Sequence, residues 1–128
     1  MEILMFIDTH IVVWLFSGQL KLLSNVAIDE IRKNDLLISP IVKLELSYLY
    51  EIGRLNDPPE RIINDLGKDI GLKIVEDSFI EIINVASEYN WTRDPFDRII
   101  TAHAKLRNLR LLTKDRIILA NYDKAFWD

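Results

Sequence analysis

Carboxylates stand at chemically useful places along this 128-residue chain. Asp8 ends the apolar run Ile3 to Ile7, and Asp115 follows the run Arg110 to Thr113. Asp94 and Asp97 bracket a proline in Arg93-Asp94-Pro95-Phe96-Asp97-Arg98-Ile99-Ile100-Thr101-Ala102, and Glu45 lies within the apolar segment Ile41 to Ile52. Several carboxylates gathered without cysteine or zinc-spaced histidines suit a hard, oxygen-liganded cation, Mg2+ or Mn2+, and argue against zinc. Such a cation neutralises charge developing on a phosphodiester and activates water for in-line displacement, so these residues point to phosphoryl hydrolysis. Each acid also has a local explanation. Asp94 occupies an N-cap ahead of Pro95, Asp97 then falls at N3 where the helix dipole favours an acid, and Asp115 can cap a following turn. The alternative is therefore a non-catalytic α/β interaction module whose acids are helix caps.

The elements that must position these acids alternate along the chain. Ile3 to Ile7 has the unbroken apolar character of a strand buried on both faces, followed by a helix over Thr9 to Phe16 that Ser17-Gly18 breaks. Ser24 to Lys33 reads as a second helix and Leu36 to Ile38 as a strand. Ser39-Pro40 opens a helix to Ile52, with Ile41, Leu44, Tyr48 and Leu49 expected on its apolar face and Glu45 beside that face. Asp57-Pro58-Pro59-Glu60 reads as a capping box for a helix to about Ile70, with Ile62, Ile63, Leu66 and Ile70 inward and Gly71 at its end. Leu72 to Val75 is a further strand, and Ser78-x-x-Glu81 a second capping box for a helix through about Tyr89. These roles leave Asp57, Glu60, Asp77 and Glu81 without assigned chemistry. A helix from Pro95 to about Asn108, a strand over Arg110 to Thr113, a turn at Ile117 to Ala120 and an edge strand in Ala125-Phe126-Trp127 complete the chain.

This alternation predicts a parallel sheet with helices on both faces, in one domain spanning residues 1–128. Ligands of such sheets bind beyond the carboxyl ends of the strands, so Asp8 and Asp115 share the functional edge. Whether Asp94 or Asp97 reaches it is open from the pattern.

Composition removes other classes. With 49% hydrophobic and 28% charged residues the chain is globular, and without cysteine it has no disulfides, thiolate metal site or cysteine nucleophile. No basic leader and no window of ~20 apolar residues is present, so a soluble, untargeted, cytoplasmic protein without membrane contact is expected. A net charge of −4 opposes a broad basic nucleic-acid face, although a metal and a few cations suffice for phosphate contact. His10 stands where an aspartyl-phosphate phosphatase needs its second acid, no glycine turn follows the first strand, and no G-x-S-x-G elbow exists. Both His10 and His103 are expected to be ordinary surface or core residues.

The strand ending in Asp8-Thr9-His10, the helical Glu45 after Ser39-Pro40, the stretch from Arg93 to Ala102, and Leu111-Leu112-Thr113-Lys114-Asp115 together resemble the PIN-domain nucleases, and within them the VapC-type toxins of bacterial toxin–antitoxin pairs. The resemblance runs nearly the full length. It implies a three-layer α/β/α sandwich with a central, mostly parallel sheet of four or five strands. It also implies endoribonuclease activity on single-stranded RNA that leaves a 5′-phosphate and a 3′-hydroxyl. Carried over by position, Asp8, Glu45, Asp97 and Asp115 hold Mg2+ or Mn2+, with Asp94 competing for the third place. Thr9 and Thr113 are expected to support two of the acids, and Arg93, Arg98, Lys114 and Arg116 are candidates for RNA phosphate contact. A cognate antitoxin that blocks the site and a homodimer are implied as well; Trp14, Leu15 and Phe16 with Tyr48 and Tyr50 are candidate groove residues for an apolar antitoxin helix.

Overall fold

The computed structural model describes residues 3–128. Its five strands are β1 (Leu4–Ile7), β2 (Asp35–Ile38), β3 (Lys73–Ile74), β4 (Arg110–Leu112) and β5 (Ala125–Phe126). The helices are α1 (Thr9–Phe16), α2 (Asn25–Lys33), α3 (Pro40–Glu51), α4 (Pro59–Ile70), α5 (Phe79–Ser87), α6 (Pro95–Leu106) and α7 (Arg116–Asn121). The sheet order is β3-β2-β1-β4-β5, and every pairing is parallel. The chain thus steps outward from β1 to β3, returns across β1 to β4, and continues to β5. Strand order reverses between β1 and β4, where the open end of a parallel sheet forms its binding crevice. Right-handed crossovers place the helices of the outward steps on one face and those of the return on the other.

Hydrophobic burial holds this arrangement. Met5, Phe6 and Ile7 of β1 and Leu111 and Leu112 of β4 are fully buried, as expected of strands covered on both faces. Val12 of α1, Val42 and Leu46 of α3, Ile62 of α4, and Ile100 and Ala104 of α6 close over them. Each fully buried aliphatic side chain contributes about 1.5–3 kcal/mol relative to exposure. Among the described residues no helix is long and apolar enough to cross a membrane.

Local differences from the expected pattern have physical causes. In α3 the buried stripe is Val42 and Leu46, whereas Leu44 and Tyr48 are 58% and 49% exposed. The helix is rotated by about one residue from the expected face, which moves Glu45, four residues from both Ile41 and Leu49, inward. Asp57 does not cap α4. Pro58 takes the N-cap position with no side-chain bond, and Asp57 accepts from Arg61 at 2.9 Å. Ile70 points outward, while Gly71 ends α4 at φ 71°, a left-handed turn suited to glycine. Strand β3 shrinks to two exposed edge residues, and α5 stops at Ser87.

Candidate acidic active site

The site grows from the end of β1. Asp8 leaves the strand as the N-cap of α1, its Oδ1 accepting from Thr9 N at 2.6 Å, and its Oδ2 accepts from Thr113 Oγ1 at 2.6 Å. Asp8 N donates to Leu112 O at 3.1 Å, so the ends of β1 and β4 are tied directly. Thr113 Oγ1 also accepts from Asp115 N at 3.0 Å. The Thr9 hydroxyl donates to Glu45 Oε1, linking α1 to α3. Thr9 and Thr113 are fully buried and Asp8 is 5% exposed. Two threonines therefore orient two carboxylates at the sheet's reversal point.

Helix α6 runs back toward the amino end of β4, so its own start lies at this same edge. Asp94 is its N-cap, accepting from Phe96 N at 2.8 Å and Asp97 N at 3.3 Å, and it is exposed. Asp97 is half-buried, and its carboxyl is pushed up to about 8 by desolvation first and then by Asp94, Asp8, Asp115 and Glu45. Burial also raises Asp8 and Glu45, against the lowering effect of their threonine bonds and of nearby His10. Asp115 caps α7 through Oδ1, which accepts from Ile117 N at 2.8 Å and Ile118 N at 3.0 Å. Its Oδ2 has no hydrogen bond among the described residues.

The structure thus brings Asp8, Glu45 and Asp115 within electrostatic range of Asp97, together with Asp94, the exposed cap of α6. Carboxylates shifted by burial and by one another in this way are concentrated at functional sites, which makes this edge the candidate. Among the described residues no three acidic or histidine side chains close into a ready-made ion cage. Like charges oppose that closure, and caps and threonines engage several of the oxygens. The donor set, all carboxylate oxygen with supporting hydroxyls, fits a hard divalent cation, whose charge would reverse the repulsion.

The candidate cations are placed unequally. Arg93 is exposed at the entrance to α6, whereas Arg98 Nε donates to Thr92 O at 2.8 Å and braces the loop ahead of that helix. Lys114 and Arg116 are exposed on either side of Asp115 and line a cleft with Phe126 and Trp127. The candidate groove aromatics separate. Trp14 meets Trp127, while Tyr48 lies 6.2 Å from Phe96 across α3 and α6.

A second polar cluster escaped sequence reasoning. His103, fully buried, bonds Ser39 Oγ through Nδ1 at 2.9 Å and Asp77 Oδ2 through Nε2 at 2.8 Å. Asp77 also accepts from Arg107 Nε at 2.6 Å and Nη2 at 3.0 Å. Burial lowers the imidazole pKa despite Asp77, and Arg107 first, then His103, holds the Asp77 carboxyl down. A neutral imidazole facing a carboxylate must donate from Nε2, so Nδ1 accepts the Ser39 proton. Ser39 spends its hydroxyl there and makes no capping bond to α3. Ser39 and His103 are buried while Asp77 reaches a surface cleft, and the relay acts as a brace between α3, which carries Glu45, and α6, which carries Asp97. Its members are scattered along the chain, and the one local signal was a histidine on the buried stripe of α6.

Residues 5–125 match the PIN domain family. The fold is similar to that of the VapBC2 complex of Rickettsia felis solved with a promoter DNA fragment: 20% identity, 98% of this chain and 100% of that one covered, TM-score 0.64. A toxin–antitoxin complex from Klebsiella pneumoniae is 20% identical with 94% of each chain covered and a TM-score of 0.61. PAE2754 from Pyrobaculum aerophilum is 20% identical, with 97% of this chain and 88% of that one covered and a TM-score of 0.62. None of the curated proteins compared with the chain is significantly similar to it in sequence.

Proposed function

The chain belongs to the PIN-domain family, in general nucleases, and on that premise we propose that it is a Mg2+- or Mn2+-dependent endoribonuclease, the toxin of a toxin–antitoxin pair. The observation that carries this reading is the crowding of Asp8, Glu45 and Asp97, all with raised carboxyl pKa, at the reversal point of a parallel sheet. Capping alone does not require that burial: Asp94 caps α6 from an exposed position.

In this reading Asp8, Glu45, Asp97 and Asp115 hold the cation. The bound cation supplies Lewis-acid neutralisation of the phosphodiester and an activated water. Thr113 and Thr9 keep Asp8 and Glu45 aimed, as partners of ligands commonly do. Asp94 starts α6 and so sets the position of Asp97. Arg93, Lys114 and Arg116 contact RNA phosphates, while Arg98 holds the loop before α6. The antitoxin partner is supported by the similarity to structures of toxin–antitoxin complexes. For the homodimer, the exposed apolar residues Leu44, Phe79 and Ile80 offer a face, with Leu44 and Phe79 lining a cleft of about 390 Å3.

Incubating the purified chain with single-stranded and structured RNA tests the proposal. Cleavage with Mg2+ or Mn2+ is expected, and none with EDTA or in Asp8→Asn. Cleavage that survives either treatment contradicts it. An inert chain that still captures a protein partner supports the interaction-module alternative.

A further inference from the structure

Beside the acids lies a cleft of about 570 Å3 whose lining includes Lys114, Arg116, Leu119, Phe126 and Trp127, within the range of about 300–1,000 Å3 typical of ligand sites. Its walls pair cations with aromatic faces. Lys114 Nζ stands 5.9 Å from the centre of the Trp14 ring and 5.7 Å from that of Trp127. The two rings meet edge to face at 6.1 Å, and both are partly exposed. Trp14 lies 6.2 Å from His10, which is close enough to Asp8 and Glu45 to bias their ionisation.

Strand pairing brings Trp127 to this place. Leu112 pairs with Phe126, and Thr113 N donates to Phe126 O at 3.1 Å. Trp127 therefore leaves the sheet beside Thr113, whose hydroxyl holds Asp8. A row of rings and cations runs from the acids, through His10, Trp14 and Trp127, to Lys114 and Arg116.

Resting on the nuclease reading of the acidic edge, we propose that this cleft is a nucleobase subsite, in which one base of a single-stranded RNA stacks on Trp127 while Lys114 and Arg116 take the adjoining phosphates. Unpaired bases stack on aromatic side chains whatever their identity, and interleaved cations track the backbone. The ammonium contact to both rings is long and solvent-facing, so an arriving phosphate can draw Lys114 away and free the ring face. A protein helix docks through an apolar stripe, and Lys114, Arg116 and Asp128 interrupt any such stripe here. The chain's net charge of −4 makes this local pairing of cations and rings the more specific signal.

Binding of a single-stranded octaribonucleotide, measured by anisotropy in EDTA so that cation-dependent cleavage does not interfere, tests the subsite. The same octamer lacking one base at each position in turn supplies the comparison. Trp127→Leu is expected to weaken binding about fivefold or more, the low end for stacking of a base on an aromatic side chain, and Trp127→Phe to retain most of the affinity. Removing one particular base should weaken wild type by a similar factor and leave Trp127→Leu indifferent. In a Trp91→Phe background, the octamer should quench the remaining tryptophan emission. Unchanged affinity in Trp127→Leu overturns the subsite, as do equal losses in the Leu and Phe variants or equal sensitivity of wild type and Trp127→Leu to every missing base. Weakened capture of an apolar partner helix in Trp127→Leu, with octamer affinity intact, assigns the cleft to protein and overturns it too. The two readings fail separately: base-dependent binding with no cleavage on adding Mn2+ removes the nuclease and keeps the subsite. Cleavage with an unaltered Trp127→Leu KM does the reverse.

Discussion

In the second half of α6, His103 is buried between Ser39 and Asp77 with both ring nitrogens bonded, whereas at the start of the same helix Asp97 is half-buried among acids of its own sign. The first cluster matches donors to acceptors, and Arg107 balances the charge of Asp77. The second leaves carboxylates facing one another with two threonine hydroxyls and no cation side chain bonded to Asp8 or Glu45 among the described residues. Burial costs each polar group its hydration, and only the first cluster returns that cost through complementary partners. Without a cation the second arrangement is eased by a proton held on Asp97, and a bound divalent cation would complete it in the proton's place.

Removing a bonding partner should destabilise either cluster, whereas removing a charge should stabilise the acidic one. The largest effect is expected at the brace: His103→Leu leaves Ser39 without its acceptor and frees one side of Asp77, costing about 1–3 kcal/mol, measured by urea denaturation. Thr113→Val should come next, with about 1–2 kcal/mol lost from the charge-assisted bond to Asp8 and cation affinity reduced about 10- to 100-fold, as for other groups that orient ligands. Asp97→Asn should instead stabilise the cation-free protein, raising Tm by about 3 °C or more; an unchanged or lower Tm would restore a simple helix-start role for Asp97.

The smallest expected effect, in pH dependence, sharpens the contrast. Asp97 has a folded pKa of about 8, above its unfolded value. The protein thus binds more protons folded than unfolded here, and its contribution is present at low pH and lost as pH rises from about 4 toward about 8. His103 is shifted below its unfolded value of 6.5, so its contribution is present above that pH and lost as pH falls through it. Asp77, held down mainly by Arg107, loses its contribution only below 3.8. Asp97→Asn should flatten the decline in Tm between about pH 5 and 8 in EDTA, whereas His103→Gln should flatten the decline on acidification below about 6.5.

Much of the acidic edge was legible because its signals are local. An apolar strand that stops at an acid announces Asp8, and the turn residues around Asp94-Pro95 announce the start of α6. Alternation of strands and helices then put Asp8 and Asp115 at one edge, and the parallel order of the five strands agrees. Glu45 was harder, since Leu44 and Tyr48 are apolar yet solvent-facing and drew the expected stripe away from Val42 and Leu46. Asp57 looked like a cap, but Pro58 holds the cap position and Arg61 takes the carboxylate. The Ser39–His103–Asp77 brace joins residues 64 and 26 positions apart, and Trp14 meets Trp127 from opposite ends of the chain. Such contacts follow from sheet order and helix rotation, which no local spacing encodes.

Calorimetric titration of Mn2+ at pH 7, repeated in two buffers of different ionisation enthalpy, tests most directly whether the carboxylate edge awaits a cation. Because Asp97 is held largely protonated without metal, binding should release protons, and Asp97→Asn should bind more weakly with less release. No binding, or binding whose affinity and proton release are the same in Asp97→Asn, would contradict a cation site built on these acids.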